Sequence, residues 1–241
     1  MNNASQKLSS QIAKQLLNEI ISGNYQPGMF LPSERELQDD YDASRSIIRE
    51  SLQFLAAQGL VSSSSRKGTI INPDINQPVL QALLLACVRS NVFLEDILSV
   101  RSVLEPQIAS IAAGKASSLQ IRDMLSLATQ FEAFDFEHYN LALWRKLDTL
   151  FHLLVAQATQ NQVFAILVEV LIGVLTSQRR TEIDATVTSD RLHIAAQQHY
   201  AIAEAIANGN SQQAGEVMRI HLETTIDNTL EFKSERVKLE K

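Results

Sequence analysis

The first third of the chain carries apolar residues at helical intervals, separated by turn signals. A first helix is predicted from an apolar residue at every fourth position, namely Leu8, Ile12, Leu16 and Ile20. This helix is expected to end before Gly23, and the following "NYQPG" indicates a turn. Ser33 and Glu36 have the S-x-x-E spacing of a capping box, which predicts a short second helix that runs to about Tyr41.

A third helix and a pair of strands are predicted next. Ser44 can cap this helix, and Gly59 is well placed to end it. Its apolar face consists of Ile48, Leu52 and Leu55. The stretch "LVSSSSRKGTIIN" then predicts two short strands around a polar tip at Arg66, Lys67 and Gly68. Three helices followed by a two-stranded wing are the element order of a winged helix-turn-helix.

Beyond the wing the pattern becomes helical throughout. The stretch "NPDINQP" carries a proline near each end and predicts a linker over 73–78, which separates a domain of residues 1–72 from one of residues 79–241. The predicted helices of the second domain span 79–90, 95–115, 118–134, 137–159, 161–183, 188–208 and 211–235. The short turn "NGN" between the last two allows only an antiparallel hairpin. We therefore predict a mainly α protein, with a winged helix-turn-helix before an all-α bundle of six or seven helices.

Composition narrows the class of protein. The chain has 241 residues, of which 45% are apolar and 20% charged, as in ordinary globular proteins. Its single cysteine, Cys87, lies in an apolar run and cannot pair within the chain, which indicates core packing and a reducing compartment. The first residues lack the pattern of a signal peptide, and no apolar run approaches the roughly 20 residues of a membrane span. We therefore expect a cytoplasmic protein that does not enter a membrane.

The net charge of −6 argues against binding of polyanions by bulk electrostatics, so a DNA contact would need local sorting of charge. Ser44, Arg45, Ser46 and Arg49 fill the first turn and a half of the third predicted helix. In a helix-turn-helix, this part of the second helix of the motif enters the major groove. Arginine can form two hydrogen bonds to guanine, and serine can bond a phosphate or a base edge. The alternative is that both arginines are merely solvated on an exposed helix face.

The stretch "LPSERELQDDYDASRSIIRESLQFLAAQGLV", followed by "RKGTII", resembles the DNA-binding domain of the GntR family of bacterial transcription regulators. The resemblance covers about residues 8–72. It implies DNA contacts by Arg35, Ser44, Arg45, Ser46, Arg49 and Gly68. Lys67, at the tip of the wing, is expected to approach the DNA as well. The leading interpretation is a homodimer, and a two-fold dimer reads an operator that is an inverted repeat.

A second group of polar residues lies on the apolar faces of three predicted helices. Asp148 and His152, four residues apart, lie at the edge of one such face, and a buried carboxylate needs a partner. His199 and His221 lie in the middle of the faces of the last two helices. Both are equidistant from the "NGN" turn, so an antiparallel hairpin places them at nearly the same height. One aspartate and three histidines suit Zn²⁺, Ni²⁺ or Mn²⁺, although each histidine alone is more typical of a satisfied core residue.

The stretches "LDTLFHLLVAQATQNQVF" and "QQHYAIAEAIANGNSQQAGEVMRIHLE" resemble the FCD ligand-binding domain of the FadR subfamily, over about residues 79–232. The resemblance to its metal-binding branch implies the same four ligands. Arg101, in "RSVLEPQIASIAA", lies on an apolar face, and a buried arginine needs an anion. A carboxylate effector could supply that anion, and so could Glu105 four residues further on, so both interpretations stay open. His138 and His193 fall off the apolar faces and are expected to be solvated.

The pattern and the resemblance together predict a transcription regulator, most often a repressor in such families, that responds to a metabolite. The expected effector is a small carboxylate, such as a sugar acid, bound at the metal site. One alternative is a metal-dependent enzyme fused to a DNA-binding module, although no further acid or base stands out beside the four ligands. An architectural DNA-binding protein fits poorly with the acidic net charge and the large helical domain.

Overall fold

The computed structural model describes residues 2–64, 68–73, 76–90, 92–178 and 187–239, and these form ten helices and one two-stranded sheet. The elements are α1 (Asn2–Ile21), α2 (Glu34–Tyr41), α3 (Arg45–Ala57), β1 (Val61–Ser64), β2 (Gly68–Ile71), α4 (Asn76–Arg89), α5 (Leu94–Ala113), α6 (Ser118–Glu132), α7 (Leu141–Ala158), α8 (Gln162–Gln178), α9 (Ser189–Ala207) and α10 (Ser211–Leu239). The chain divides into two compact units, Met1–Ala82 and Leu83–Lys241. The predicted fold class is confirmed.

The predicted apolar faces build the core of the first unit. Its buried apolar residues come from the first three helices, the wing and Leu31, and they are Ile12, Ala13, Leu16, Leu31, Leu37, Ile48, Leu52, Leu55, Val61 and Ile71. The capping box of α2 is present, because the backbone N–H of Glu36 donates to Ser33 Oγ (3.3 Å) and the backbone N–H of Ser33 donates to Glu36 Oε2 (2.8 Å). Asp42 then adopts a left-handed conformation (φ 45°), which ends α2 and leads the chain into α3.

Ser44 differs from the sequence-based expectation. It occupies the N-cap position of α3, but its hydroxyl makes no capping hydrogen bond and lies 3.0 Å from the hydroxyl of Ser46 instead. The two short side chains are close enough to bond one another, and this contact competes with the cap. At the other end of α3, Gly59 has φ +71°, and a Cβ there would lie 2.8 Å from Pro78 Cγ. Both observations explain why this position requires glycine.

The wing follows as an antiparallel pair, with Val61 opposite Ile71 and Ser64 opposite Gly68. Gly68 has φ +89°, a conformation that favours glycine, at the first position of β2. Of the predicted tip, Arg66 and Lys67 lie outside the described residues.

The stretch predicted as a linker over 73–78 is partly helical. Helix α4 begins at Asn76, and Pro78 is its third residue. Proline is tolerated there because the first backbone N–H groups of a helix have no partner inside the helix. The division between the two compact units falls later, after Ala82.

The second unit is an all-α bundle in which α5 and α10 make the largest contact between helices. Gly215 permits this close approach, because a Cβ there would lie 3.1 Å from the backbone oxygen of Pro106 in α5. Gly209, with φ +67°, makes the predicted turn between α9 and α10. The predicted helix 137–159 begins later, at Leu141, because Asp135 Oδ1 accepts hydrogen bonds from the backbone N–H groups of residues 137 and 138 and holds them in a turn.

The aromatic residues Phe131, Trp144 and Phe151 lie at the centre of the core of this bundle. None of the described helices is both long and apolar enough to cross a membrane.

Candidate functional site

The first candidate site is the exposed start of α3. Ile48 is fully buried, whereas the side chains of Arg45 and Arg49 are 71% and 58% exposed. Both arginines converge on Glu34 at the start of α2: Arg45 Nε donates to Glu34 Oε2 (3.0 Å), and Arg49 Nε lies 3.6 Å from Glu34 Oε1. The structure therefore brings the two arginines together through an acidic residue that the sequence analysis did not single out.

Of the other residues predicted to contact DNA, some lie near the two arginines and one lies on the wing. Ser44 and Ser46 share the same turn and are exposed, and Arg35 is exposed on α2. Gly68 begins the second strand of the wing, while Lys67 lies outside the described residues. The predicted set thus spans α2, α3 and the wing.

The second candidate site lies inside the helical bundle. The structure brings together one potential ligand atom each from Asp148, His152, His199 and His221, all within 4.8 Å of one another. The three histidines are buried and the aspartate is half-buried. The predicted grouping of these four residues is therefore present, with α7 supplying two of them and the α9–α10 hairpin supplying the other two.

His152 is oriented by a carboxylate. Its Nδ1 lies 2.5 Å from Glu105 Oε2, and its Nε2 lies 3.8 Å from Asp148 Oδ1. The other oxygen of Glu105 accepts a hydrogen bond from Arg101 Nε. Glu105 and Arg101 are both buried, so this pair shows the intrahelical partner that the sequence left as one of two alternatives.

His221 is oriented by a neutral relay. Its Nδ1 lies 3.0 Å from Gln198 Oε1, and Gln198 Nε2 donates to Thr224 Oγ1 (3.2 Å). The Thr224 hydroxyl donates in turn to the backbone oxygen of Ile220 (2.7 Å), so its oxygen is left to accept from the amide. This order puts the amide oxygen of Gln198 against His221 Nδ1, which therefore carries the proton and leaves Nε2 free to bind a metal.

His199 has no such support. Its ring stacks on Phe131, with centroids 4.3 Å apart, and is fully buried. Neither ring nitrogen makes a hydrogen bond among the described residues, although Nε2 lies 3.3 Å from Asp148 Oδ1. A buried imidazole without hydrogen bonds is costly. A divalent cation between these four residues would bind one of its two ring nitrogens, so the donor set fits a metal.

The protonation states of the cluster also suit metal binding. Burial lowers the pKa of His199, and burial together with the neighbouring His199 and His152 lowers the pKa of His221 well below its usual value. Burial raises the pKa of Asp148, but its contacts with His199 and His152 outweigh this and hold the pKa below its usual range. Neutral imidazoles and an ionised carboxylate are the forms that ligate metals.

Glu105 is also held ionised. Burial raises its pKa, but the charge of Arg101 and the contact with His152 outweigh burial and lower the pKa to about 2. It can therefore accept hydrogen bonds on both oxygens at neutral pH.

A cavity of about 160 Å³ adjoins the cluster. Asp148, His152 and His221 line it together with Arg101, whose Nη2 is buried and makes no hydrogen bond among the described residues. The wall also carries amide and hydroxyl groups, from Thr149, Thr176, Gln198, Thr224, Thr225 and Asn228. By contrast, His138 and His193 are exposed and lie outside this cavity, as predicted.

Family models match both units. A model of the bacterial regulatory proteins of the gntR family matches residues 8–71, and a model of the FCD domain matches residues 96–224, more than half of the chain. The chain belongs to the GntR family. It is thus a DNA-binding transcription regulator and not an enzyme, and its pairing of a GntR domain with an FCD domain is that of FadR-like regulators.

Similar proteins within the GntR family extend over most of the chain. The HTH-type transcriptional regulator LutR of Bacillus subtilis (strain 168) is 33% identical over 88% of this chain and 95% of its own length. The galactonate operon transcriptional repressor of Escherichia coli (strain K12) is 28% identical over 86% of this chain and 90% of its own length. The solved structure of Streptococcus agalactiae GntR has the same fold, with a TM-score of 0.70 at 24% identity, over 91% of this chain and 99% of that one.

Proposed function

We propose that this GntR-family regulator responds to a small carboxylate that binds a divalent metal ion in its FCD domain. One observation carries the proposal: three of the four clustered residues, Asp148, His152 and His221, line the same cavity as Arg101, whose Nη2 makes no hydrogen bond among the described residues. A metal ion bound there would supply positive charge and open coordination positions, and the guanidinium is a second group that pairs with carboxylates. Zn²⁺, Ni²⁺ and Mn²⁺ are the candidate ions, because imidazole and carboxylate ligands suit all three.

The lining of the cavity supports a small polar acid. Beside the metal-ligand candidates, the cavity of about 160 Å³ is bounded by Arg101 and by several hydroxyl and amide groups. The hydroxyl and amide groups of the wall can bond the hydroxyl groups of a sugar acid or a hydroxy acid. Among its relatives is a repressor named for the galactonate operon, and galactonate is a sugar acid. It is the first effector to test.

The DNA contacts are proposed to centre on the start of α3. Glu34 holds both arginines through Nε, so the Nη groups of Arg45 and Arg49 are left to bond guanine in the major groove. Ser44, Ser46 and Arg35 would add contacts beside them, and Lys67 and Gly68 would bring the wing to the DNA backbone. We further propose that the regulator acts in the cytoplasm as a homodimer that represses transcription from an inverted-repeat operator.

The effector proposal is tested by calorimetry on the intact protein. Galactonate is titrated into the protein after loading with Zn²⁺, Ni²⁺ or Mn²⁺, and into the same protein after removal of metal. Binding that requires a loaded metal, and that weakens when Arg101 is replaced by methionine, is the expected result. Galactonate and related acids that bind metal-free and metal-loaded protein equally would contradict the proposal.

A further inference from the structure

The carboxylate of Glu105 contacts two side chains, and these belong to different parts of the candidate site. Oε1 accepts a hydrogen bond from Arg101 Nε, one turn earlier on α5, and Oε2 lies 2.5 Å from His152 Nδ1 on α7. Glu105 itself is 1% exposed, so no water competes for either oxygen. It is not among the four candidate metal ligands.

The contact with His152 determines which ring nitrogen can bind a metal. A carboxylate only accepts hydrogen bonds, so Nδ1 of His152 must carry the proton that it shares with Glu105. The lone pair is then on Nε2, the nitrogen that lies 3.8 Å from Asp148 Oδ1 within the ligand cluster. A histidine whose far nitrogen is bonded to a carboxylate is held in one orientation and becomes a stronger ligand.

The contact with Arg101 holds Glu105 in place and leaves the guanidinium able to act. Only Nε is used by Glu105, whereas Nη2 stays buried without a hydrogen bond among the described residues, and Arg101 lines the cavity. Arg101 can therefore pair with an anion in the cavity without releasing Glu105. One carboxylate thus supports a metal ligand on one side and a cation of the cavity on the other.

We infer that Glu105 is a positioning residue for the metal centre: clamped by Arg101, it orients His152 so that Nε2 faces the ion. The inference rests on the proposed metal site. Glutamate is required because both neighbours are donors. Glutamine has one accepting oxygen, so its amide nitrogen would face either Arg101 or His152 as a second donor.

The test compares Glu105→Gln with Glu204→Gln, the same change at an exposed position on α9. Zn²⁺ affinity is measured for each folded, metal-free full-length protein by competition with a chromogenic chelator. We expect Glu105→Gln to weaken Zn²⁺ binding by roughly 10–100-fold and Glu204→Gln to leave it unchanged. A folded Glu105→Gln protein with the Zn²⁺ affinity of the wild type would overturn the inference. A wild-type protein that binds no Zn²⁺ would instead overturn the proposed metal site.

A second measurement needs no variant, because loss of a buried charge can also prevent folding. Long-range ¹H–¹⁵N correlation spectra of the Zn²⁺-loaded wild-type protein report which nitrogen of each histidine carries the proton. We expect the proton of His152 on Nδ1, which faces Glu105. A proton on Nε2 would overturn the inference, whatever the variant does.

Discussion

Glu34 organises the basic start of α3 by forming ion pairs with two arginines that belong to a different helix. Its carboxylate contacts Arg45 Nε at 3.0 Å and Arg49 Nε at 3.6 Å, and all three side chains are exposed to solvent to a considerable extent. Exposed ion pairs contribute little to folding, typically about 1 kcal/mol or less. What the pairing gives instead is a defined direction for two guanidinium groups that are otherwise flexible.

Arg45→Ala and Arg49→Ala are therefore predicted to weaken operator binding without unfolding the protein. Each loss should amount to about 1–3 kcal/mol, because a two-bond contact between arginine and guanine is removed. Gel shifts at one fixed salt concentration measure the change, since phosphate contacts depend strongly on salt. Arg122→Ala, at an exposed arginine of α6, is the matched control. Wild-type operator affinity in either variant would show that α3 does not dock as proposed.

In the FCD domain, the histidines divide into those that can ligate and those that cannot. We predict one divalent ion per chain after mild purification, and lower occupancy in His152→Ala, His199→Ala and His221→Ala. His138→Ala should keep full occupancy, because that side chain is exposed and lies beside Asp135 at the surface. Elemental analysis of each folded protein measures the ion. A folded wild-type protein that stays metal-free after added Zn²⁺ or Ni²⁺ would contradict the prediction.

The sequence could predict the four candidate ligands but not the residues that orient them. The ligands share a signal, since each lies on or beside the apolar face of an amphipathic helix, and the short hairpin turn puts His199 level with His221. For Glu105, only one of its two contacts could be predicted. Its spacing from Arg101 indicated a pair, but His152, its second partner, is 47 residues away on another helix. Which helices become neighbours depends on packing of the whole bundle, and a helical pattern does not contain that.

At the scale of elements, the close approach of α5 and α10 depends on Gly215. A Cβ at this position would lie 3.1 Å from a backbone oxygen of α5, which cannot move aside as a flexible side chain would. Gly215→Val is therefore predicted to destabilise the FCD domain by about 1–3 kcal/mol through overpacking. Urea denaturation measures the change. Gly114→Ala is the control, because its nearest neighbour would be 3.7 Å away.

The opposite result would also be informative for this pair of helices. Valine is a better helix former than glycine, so a variant as stable as the wild type would mean that moving α10 away from α5 costs no more than this gain in helix propensity. The two helices would then not be held by close backbone contact.

The start of helix α7 is another feature that the apolar pattern of the sequence could not predict. Helix α7 was expected from residue 137, but it begins at Leu141, and Asn140 caps it by accepting a hydrogen bond from the backbone N–H of Leu143 (3.1 Å). The delay comes from Asp135, whose side chain bonds the backbone of the next residues. Such local competition by aspartate and asparagine is common before helices, but the apolar pattern does not show where it succeeds.

At the scale of the whole molecule, the acidic net charge is compatible with DNA binding because charge is sorted locally. The chain carries a formal net charge of −6, yet the start of α3 presents two exposed arginines and no acidic residue in its first turn.

The linkage between effector binding and operator binding follows a thermodynamic rule. An effector changes operator affinity only if it binds one arrangement of the DNA-binding domains more tightly than another.

The central claim is that a small carboxylate at the metal site controls operator binding. Its most direct test is to titrate galactonate and related acids into the complex of the metal-loaded protein with its operator. For an acid that binds, the account predicts a change in operator affinity of roughly 5–150-fold, the usual range of such coupling. The same titration with folded Asp148→Ala, which lacks one ligand, should produce no change. An acid that binds the protein yet leaves operator affinity unaltered, or an Asp148→Ala protein that responds like the wild type, would contradict the account.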